Sequence, residues 1–172
     1  MIILIAGSTH TGKTLLAQKL MEKYRYPYIS IDHLKMGLIR SGYCTLTPES
    51  CDNELTEYLW PVIKGIIKTN IENDQNLILE GCYIPFDFKK DFEPYYLQQI
   101  KYVCLIFSEK YIEDHFSNIQ KYSHIIENRI ADEDISLRGS MLEENKRNLL
   151  LCKEHDCEYI LIEDSYDVDV IL

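Results

Sequence analysis

Five short apolar segments punctuate the chain: residues 2–6 (IILIA), 28–31, 77–80, 102–107 and 159–162. Runs this short and continuous predict strands buried on both faces rather than half-exposed strands, which would alternate apolar and polar positions. Between them the apolar residues fall at helical spacing. Residues 12–24 predict a first helix ended by Tyr26-Pro27, and residues 33–40 a second closed by Ser41-Gly42. Leu55, Leu59, Val62, Ile63, Ile66, Ile67 and Ile71 trace the buried face of a third helix that runs through Pro61.

A polar, proline-containing loop is expected at residues 43–53, a turn at 73–76, a loop at 81–88 and a short helix at 92–98. Ser108 reads as the N-cap of a long helix reaching about residue 128, with Ile112, His115, Phe116 and Ile119 among those on one side. Residues 129–139 are charged, poor in large apolar residues and bracketed by arginines. A last helix is expected over 141–155. Buried strands alternating with helices predict an α/β fold, a five-stranded parallel sheet with helices on both faces. No internal repeat or linker divides the chain, so residues 1–172 read as one domain.

Composition narrows the function classes. A net charge of −10 argues against a general nucleic-acid or acidic-membrane surface, so any phosphate-binding potential must be local. None of the six cysteines forms a C-x-x-C pair, and Cys104 lies inside an apolar run as a buried thiol would; Cys152 and Cys157 read as structural. With no signal-like opening and no apolar run long enough for a membrane span, a reduced, cytoplasmic protein is expected.

The chemistry is concentrated after the first strand. Gly7-Ser8-Thr9-His10-Thr11-Gly12-Lys13-Thr14 fits G-x-x-x-x-G-K-[ST] at every fixed position and lies between a strand and a helix, the context the motif requires. The glycines allow a tight turn that exposes consecutive N–H groups as an anion nest, and the helix adds its positive N-terminal end. Lys13 would reach the β- and γ-phosphates, and the Thr14 hydroxyl would ligate Mg²⁺. His10 sits at an unconstrained position and is expected to contribute its backbone N–H. In parallel α/β sheets ligands bind outside the carboxyl ends of strands, which adds Asp32 and Glu80, at the ends of the second and third strands, to the same rim.

Through these features the chain resembles the P-loop kinases of the nucleoside-monophosphate-kinase type, which include adenylate, shikimate and gluconate kinases. Ser30-Ile31-Asp32-His33-Leu34 looks like the segment carrying the acceptor-side aspartate in chloramphenicol phosphotransferase and zeta-toxin kinases. Asn76-Leu77-Ile78-Leu79-Glu80-Gly81 is similar to the zeta-toxin third strand, whose acid lies near substrate and metal. The resemblance implies a three-layer P-loop NTPase fold with strand order 2-3-1-4-5, a small lid at about 129–139, and ATP with Mg²⁺ as phosphate donor. It implies a small-molecule acceptor bearing a hydroxyl or a phosphate.

On that reading Asp32 is the general base toward the acceptor, although an Asp here also suits the N-cap of the following helix. Glu80 would hold Mg²⁺ through a water or bind the acceptor; the alternative is a structural partner for Lys13 or Arg40. Arg129 and Arg138 would bring guanidinium groups onto the transferring phosphoryl as the lid closes, against the plainer readings of solvated arginines or, for Arg129, a helix C-cap. Arg40 would clamp an anionic acceptor or complement its helix dipole. His115 reads as a packed histidine, and Lys146 and Arg147 as weaker candidates. Competing classes are a P-loop ATPase or GTPase switch and a nucleotide-binding interaction module. Asn145-Lys146-Arg147-Asn148 lacks the final aspartate of a guanine motif, and Gly81 stands where a motor would carry a second acid. The acceptor's identity, ATP against GTP and the oligomeric state are not legible.

Overall fold

The computed structural model describes residues 1–122 and 134–170. Each strand runs into a loop or helix at its carboxyl end, in the order β1 (Ile2–Gly7), α1 (Lys13–Tyr24), β2 (Tyr28–Ser30), α2 (Ile31–Arg40) and α3 (Asp52–Glu72). There follow β3 (Leu77–Glu80), a 3-10 turn (Phe88–Asp91), α4 (Pro94–Leu97), β4 (Ile100–Phe107), α5 (Glu109–Tyr122), α6 (Asp134–Glu154) and β5 (Tyr159–Ile162). All pairings are parallel and the strand order is β2-β3-β1-β4-β5, as the resemblance implied.

Alternate residues of the central strands feed two cores. Ile2, Leu4 and Ala6 of β1, with Leu77 and Leu79 of β3, pack against Leu55, Leu59, Ile63, Ile67 and Ile71 of α3. Ile3 and Ile5 face the other way, onto Leu16, Ala17 and Leu20 of α1 and Ile112 of α5. Each such side chain contributes roughly 1.5–3 kcal/mol by leaving water, so the sheet is the stable centre and its carboxyl-end loops are held by it. Helix α6 serves both cores, Met141 entering one and Cys152 the other.

Pro61 lies inside α3 and removes the hydrogen bond to the Glu57 carbonyl, but both residues are exposed, so water can satisfy that carbonyl. Val62, expected on the buried face, is 40% exposed, and Trp60 is buried instead, its Nε1 donating to Asp91 at 2.8 Å. Ser108 caps α5 as expected, accepting from the Tyr111 amide at 3.0 Å. All six cysteines are free thiols.

Two expectations are corrected. Helix α2 begins at Ile31, with Ser30 at the N-cap, so Asp32 sits in the first turn and does not cap it. The last helix begins at Asp134 rather than near residue 141, so residues 134–139 of the expected lid are helical. Ser136, Gly139 and Ser140 are weak helix formers. Packing overrides them: Leu137 joins the core beside α5, Met141 is buried, and Arg138 meets Glu113 of α5 at 3.6 Å. Residues 129–133, Arg129 included, lie outside the described residues.

Asn145 fastens α6 to the sheet. It is 1% exposed; its Oδ1 accepts from the Phe107 amide at 2.8 Å, and its Nδ2 donates to the Met141 carbonyl at 2.8 Å. Within the segment that echoes a guanine motif, Asn145 therefore belongs to the scaffold. Asn145→Ala leaves a buried N–H without a partner at the end of β4 and is expected to lower stability by about 1–3 kcal/mol. Urea unfolding would register this as a lower midpoint at unchanged slope.

Candidate active site

The loop between β1 and α1 owes its shape to three left-handed backbone positions: Gly7 (φ 142°), His10 (φ 67°) and Gly12 (φ 83°). At Gly7 the need for glycine is also steric, because a Cβ would lie 2.6 Å from the Leu105 carbonyl oxygen of β4. The Ser8 carbonyl gathers three donors: the Thr11 hydroxyl and Lys13 Nζ, each at 2.8 Å, and the Thr11 amide at 3.4 Å. The loop therefore folds around its own lysine. Ser8 Oγ is buried with no hydrogen-bond partner, a donor that a phosphate oxygen would satisfy. That orphaned hydroxyl, the open nest and the buried ammonium fit a nucleotide phosphate chain.

Lys13 is buried, which by itself favours the neutral amine. The Cys82 thiol beside it and the carboxylates of Glu80 and Asp32 outweigh that effect and raise its pKa. It is thus a cation ready for an incoming anion. Glu80, at the end of β3, is 1% exposed, and Thr14 Oγ1 donates to its Oε1 at 3.3 Å. A hydroxyl and a carboxylate side by side are hard oxygen donors suited to Mg²⁺, with phosphates and waters completing the shell. Among the described residues no cluster of three His, Cys, Asp or Glu could hold a metal unaided.

Opposite the loop, Lys35 is wedged between Asp32 Oδ1 at 2.9 Å and Tyr83 Oη at 2.8 Å. Burial works against its charge, but the hydrogen bonds to Tyr83 and Asp32 prevail and raise its pKa. Sequence reading overlooked Lys35 and Tyr83. The three-residue step from Asp32 to Lys35 on one helix is a signal that could have found the lysine.

The start of the loop, Asp32, Lys35 and Tyr83 line one cavity of about 800 Å³, whereas His10, Thr11, Gly12, Lys13, Thr14 and Glu80 are not among its lining residues. Gly7, Ser8 and Thr9 form one wall, Asp32, His33, Lys35 and Met36 of α2 another, and residues 82–86 after β3 a third. Asp52, Asn53 and Thr56 of α3 and Glu144, Arg147, Asn148 and Leu151 of α6 complete it. Glu144, also overlooked, lines the cavity although it is an exposed residue; partial desolvation there and Asp52 raise its pKa, against the opposing pull of Lys13, the Thr9 amide and Arg147. Arg147 is the arginine that the described residues bring to the cavity. Arg40 is exposed in the last turn of α2 and Arg138 is exposed on α6, and neither lines it. His115 packs on Tyr111, ring centroids 4.5 Å apart, away from the cavity wall.

The chain matches no protein-family model and no curated protein. Solved structures do resemble it. Shikimate kinase from Bacteroides thetaiotaomicron is 15% identical at a TM-score of 0.57, over 95% of this chain and 86% of that one. A provisionally assigned kinase from Chloroflexus aurantiacus J-10-fl is 17% identical at 0.55, over 98% and 91%. This chain has the P-loop kinase fold. A sugar kinase from Janibacter sp. HTCC2649 agrees, at 13% identity and a TM-score of 0.53, over 94% of this chain and 84% of that one. In this P-loop kinase fold, no helix among the described residues is long and apolar enough to cross a membrane.

Proposed function

We propose that the chain is an ATP-dependent kinase that transfers the γ-phosphate to a hydroxyl or phosphate of a small-molecule acceptor. The observation that supports this reading best is a cavity lined both by the start of the phosphate loop, Gly7, Ser8 and Thr9, and by Asp32, with a volume of about 800 Å³. The loop amides and Lys13 would hold the phosphate chain. Thr14 and Glu80 would hold Mg²⁺, which when bound neutralises charge on the bridging phosphate oxygens.

Asp32 would accept the proton of the acceptor hydroxyl, and Lys35, anchored on Tyr83, would keep that carboxylate aimed at the acceptor. Phosphoryl transfer asks mostly for position and charge, and both lie in these groups. Arg147 is the cation best placed to meet the transferring group or an anionic acceptor. Arg138 takes that role only if the start of α6 moves inward and its pair with Glu113 opens, and Arg129 lies outside the described residues. Arg40 could reach an acceptor only where that acceptor extends past the cavity mouth.

The test is ADP release from Mg²⁺–ATP across a panel of hydroxyl and phosphate acceptors, with Lys13→Ala as the blank. Release stimulated by one acceptor class is expected, and absent from the blank. Equal slow release with every acceptor, lost in the blank, would instead support a hydrolase.

A further inference from the structure

The strand β5 is followed by a segment that returns along α1, from the phosphate loop before it to its last residues. Val168 and Val170 are 3% and 5% exposed, inserted in the core that holds α1. Lys23 meets Asp169 at 3.0 Å, Tyr24 Oη donates to the Val170 carbonyl at 3.3 Å, and Lys110 meets Asp164 at 2.7 Å. Between these anchors lies Tyr166, its ring edge-on to Phe107 at 6.2 Å. Its hydroxyl reaches the phosphate loop from behind, donating to the Thr11 carbonyl at 3.1 Å and approaching the Gly12 carbonyl at 3.4 Å.

Peptide planarity gives this contact its consequence. In a trans peptide the C=O and the following N–H point in opposite directions, and the chain has no cis peptide among its described residues. A donor that holds the Thr11 carbonyl on one side therefore turns the Gly12 amide to the other, and beside it the Gly12 carbonyl, which also accepts from the Leu16 amide at 3.0 Å, turns the Lys13 amide the same way. Those two amides belong to the nest that would receive the phosphates. We infer that Tyr166 is a positioning residue of the nucleotide site, bracing the back of the phosphate loop so that the Gly12 and Lys13 amides face the phosphate chain.

Two further features agree. A Cβ on Gly12 would stand 1.9 Å from Tyr166 Oη, so glycine at this position makes room for the brace as well as for its own left-handed backbone. Burial, aided by neighbouring Tyr111, pushes the Tyr166 phenol up to about 12, so it remains a proton donor throughout the range in which kinases are assayed.

The inference rests on the kinase reading only in that phosphates must bind the loop. The experiment compares wild type with Tyr166→Phe, which keeps the ring on Phe107, and with Tyr24→Phe, which removes a hydroxyl that joins the end of α1 to the same returning segment, away from the loop. The probe is inorganic tripolyphosphate, measured by calorimetry beside ATP, with thermal unfolding of all three proteins. Loss of one hydrogen bond that orders the nest is expected to weaken tripolyphosphate and ATP alike, by roughly three- to tenfold in Tyr166→Phe. Tyr24→Phe should bind as wild type does. Wild-type affinity in Tyr166→Phe, or an equal loss in Tyr24→Phe, overturns the brace while leaving the kinase reading intact. A wild-type protein that binds neither probe overturns the kinase reading, and the brace with it.

Discussion

Lys13→Ala is expected to lower acceptor-stimulated ADP release by about a hundredfold or more, the magnitude typical of removing one preorganised charge from a phosphoryl- or acyl-transfer site. The expectation follows from where the ammonium sits. It is 7% exposed and fastened to the Ser8 carbonyl at 2.8 Å. It is surrounded by groups that favour its charged form. In so dry a position a charge acts on a phosphate oxygen far more strongly than it would in water. The variant should also bind ATP more weakly, because on the proposed reading the same cation would meet the β- and γ-phosphates before reaction. Circular dichroism would check that the fold persists, since the loop also uses Lys13 as its internal fastener. Turnover equal to wild type would remove the phosphate-loop assignment, and with it the reason to call this cavity a nucleotide site.

Asp32→Asn should have the second large effect, and of a different kind. A general base contributes roughly 10²- to 10⁴-fold to a proton-coupled step, so transfer to a hydroxyl acceptor is expected to fall by that order. Affinity for Mg²⁺–ATP should change by no more than about twofold, because the lost charge serves the acceptor rather than the phosphate chain. The asparagine carbonyl can still accept from Lys35, whose other bond, to Tyr83 at 2.8 Å, is untouched. Large collapse of the fold is therefore not expected. Product formation and nucleotide titration on the same preparation separate the outcomes. Weakened ATP binding with intact thermal unfolding would transfer Asp32 to the metal side of the site. Unchanged transfer would leave Asp32 as a structural anchor for Lys35.

The misread stretch before the last helix shows how local and tertiary signals compete. Ser136, Gly139 and Ser140 lower helix propensity, and charged residues nearby carry no amphipathic stripe, so the segment reads as irregular. A helix there is sustained by a partner that is distant in sequence. Helix α5 supplies an apolar face for Leu137, Met141 and Leu142, and Glu113 for Arg138. Helices draw most of their stability from such faces rather than from propensity. The displaced boundary matters for function: with residues 134–139 helical, Arg138 stands on an exposed face of α6, while Arg147, farther along that helix, lines the cavity. Asp32 shows the same effect in miniature. Its type suits an N-cap, but the helix begins at Ile31, whose side chain is fully buried beneath Gly81, so the aspartate points from the first turn into the cavity wall.

By itself the sequence determined the sheet, the order of its elements and the phosphate loop. Each of these is encoded in contiguous residues: short apolar runs that can only be buried strands, and a loop whose glycines, lysine and threonine act within one turn. It also placed Asp32 and Glu80 at the carboxyl-end rim of the sheet, because the carboxyl end of a parallel strand is a position that topology assigns once the strands are known. Only the tertiary structure decided which cations reach the cavity, that Lys35 and Tyr83 hold Asp32, that Glu144 joins the loop's surroundings, and that Tyr166 stands behind Thr11 and Gly12. Apart from the three-residue step between Asp32 and Lys35, those contacts join residues tens to more than a hundred positions apart, as between Tyr166 and Thr11, separated by 155. They depend on how α2, α6 and the returning segment dock on the sheet. Such docking is the sum of many weak apolar contacts and leaves no periodic mark at the polar residues it brings together.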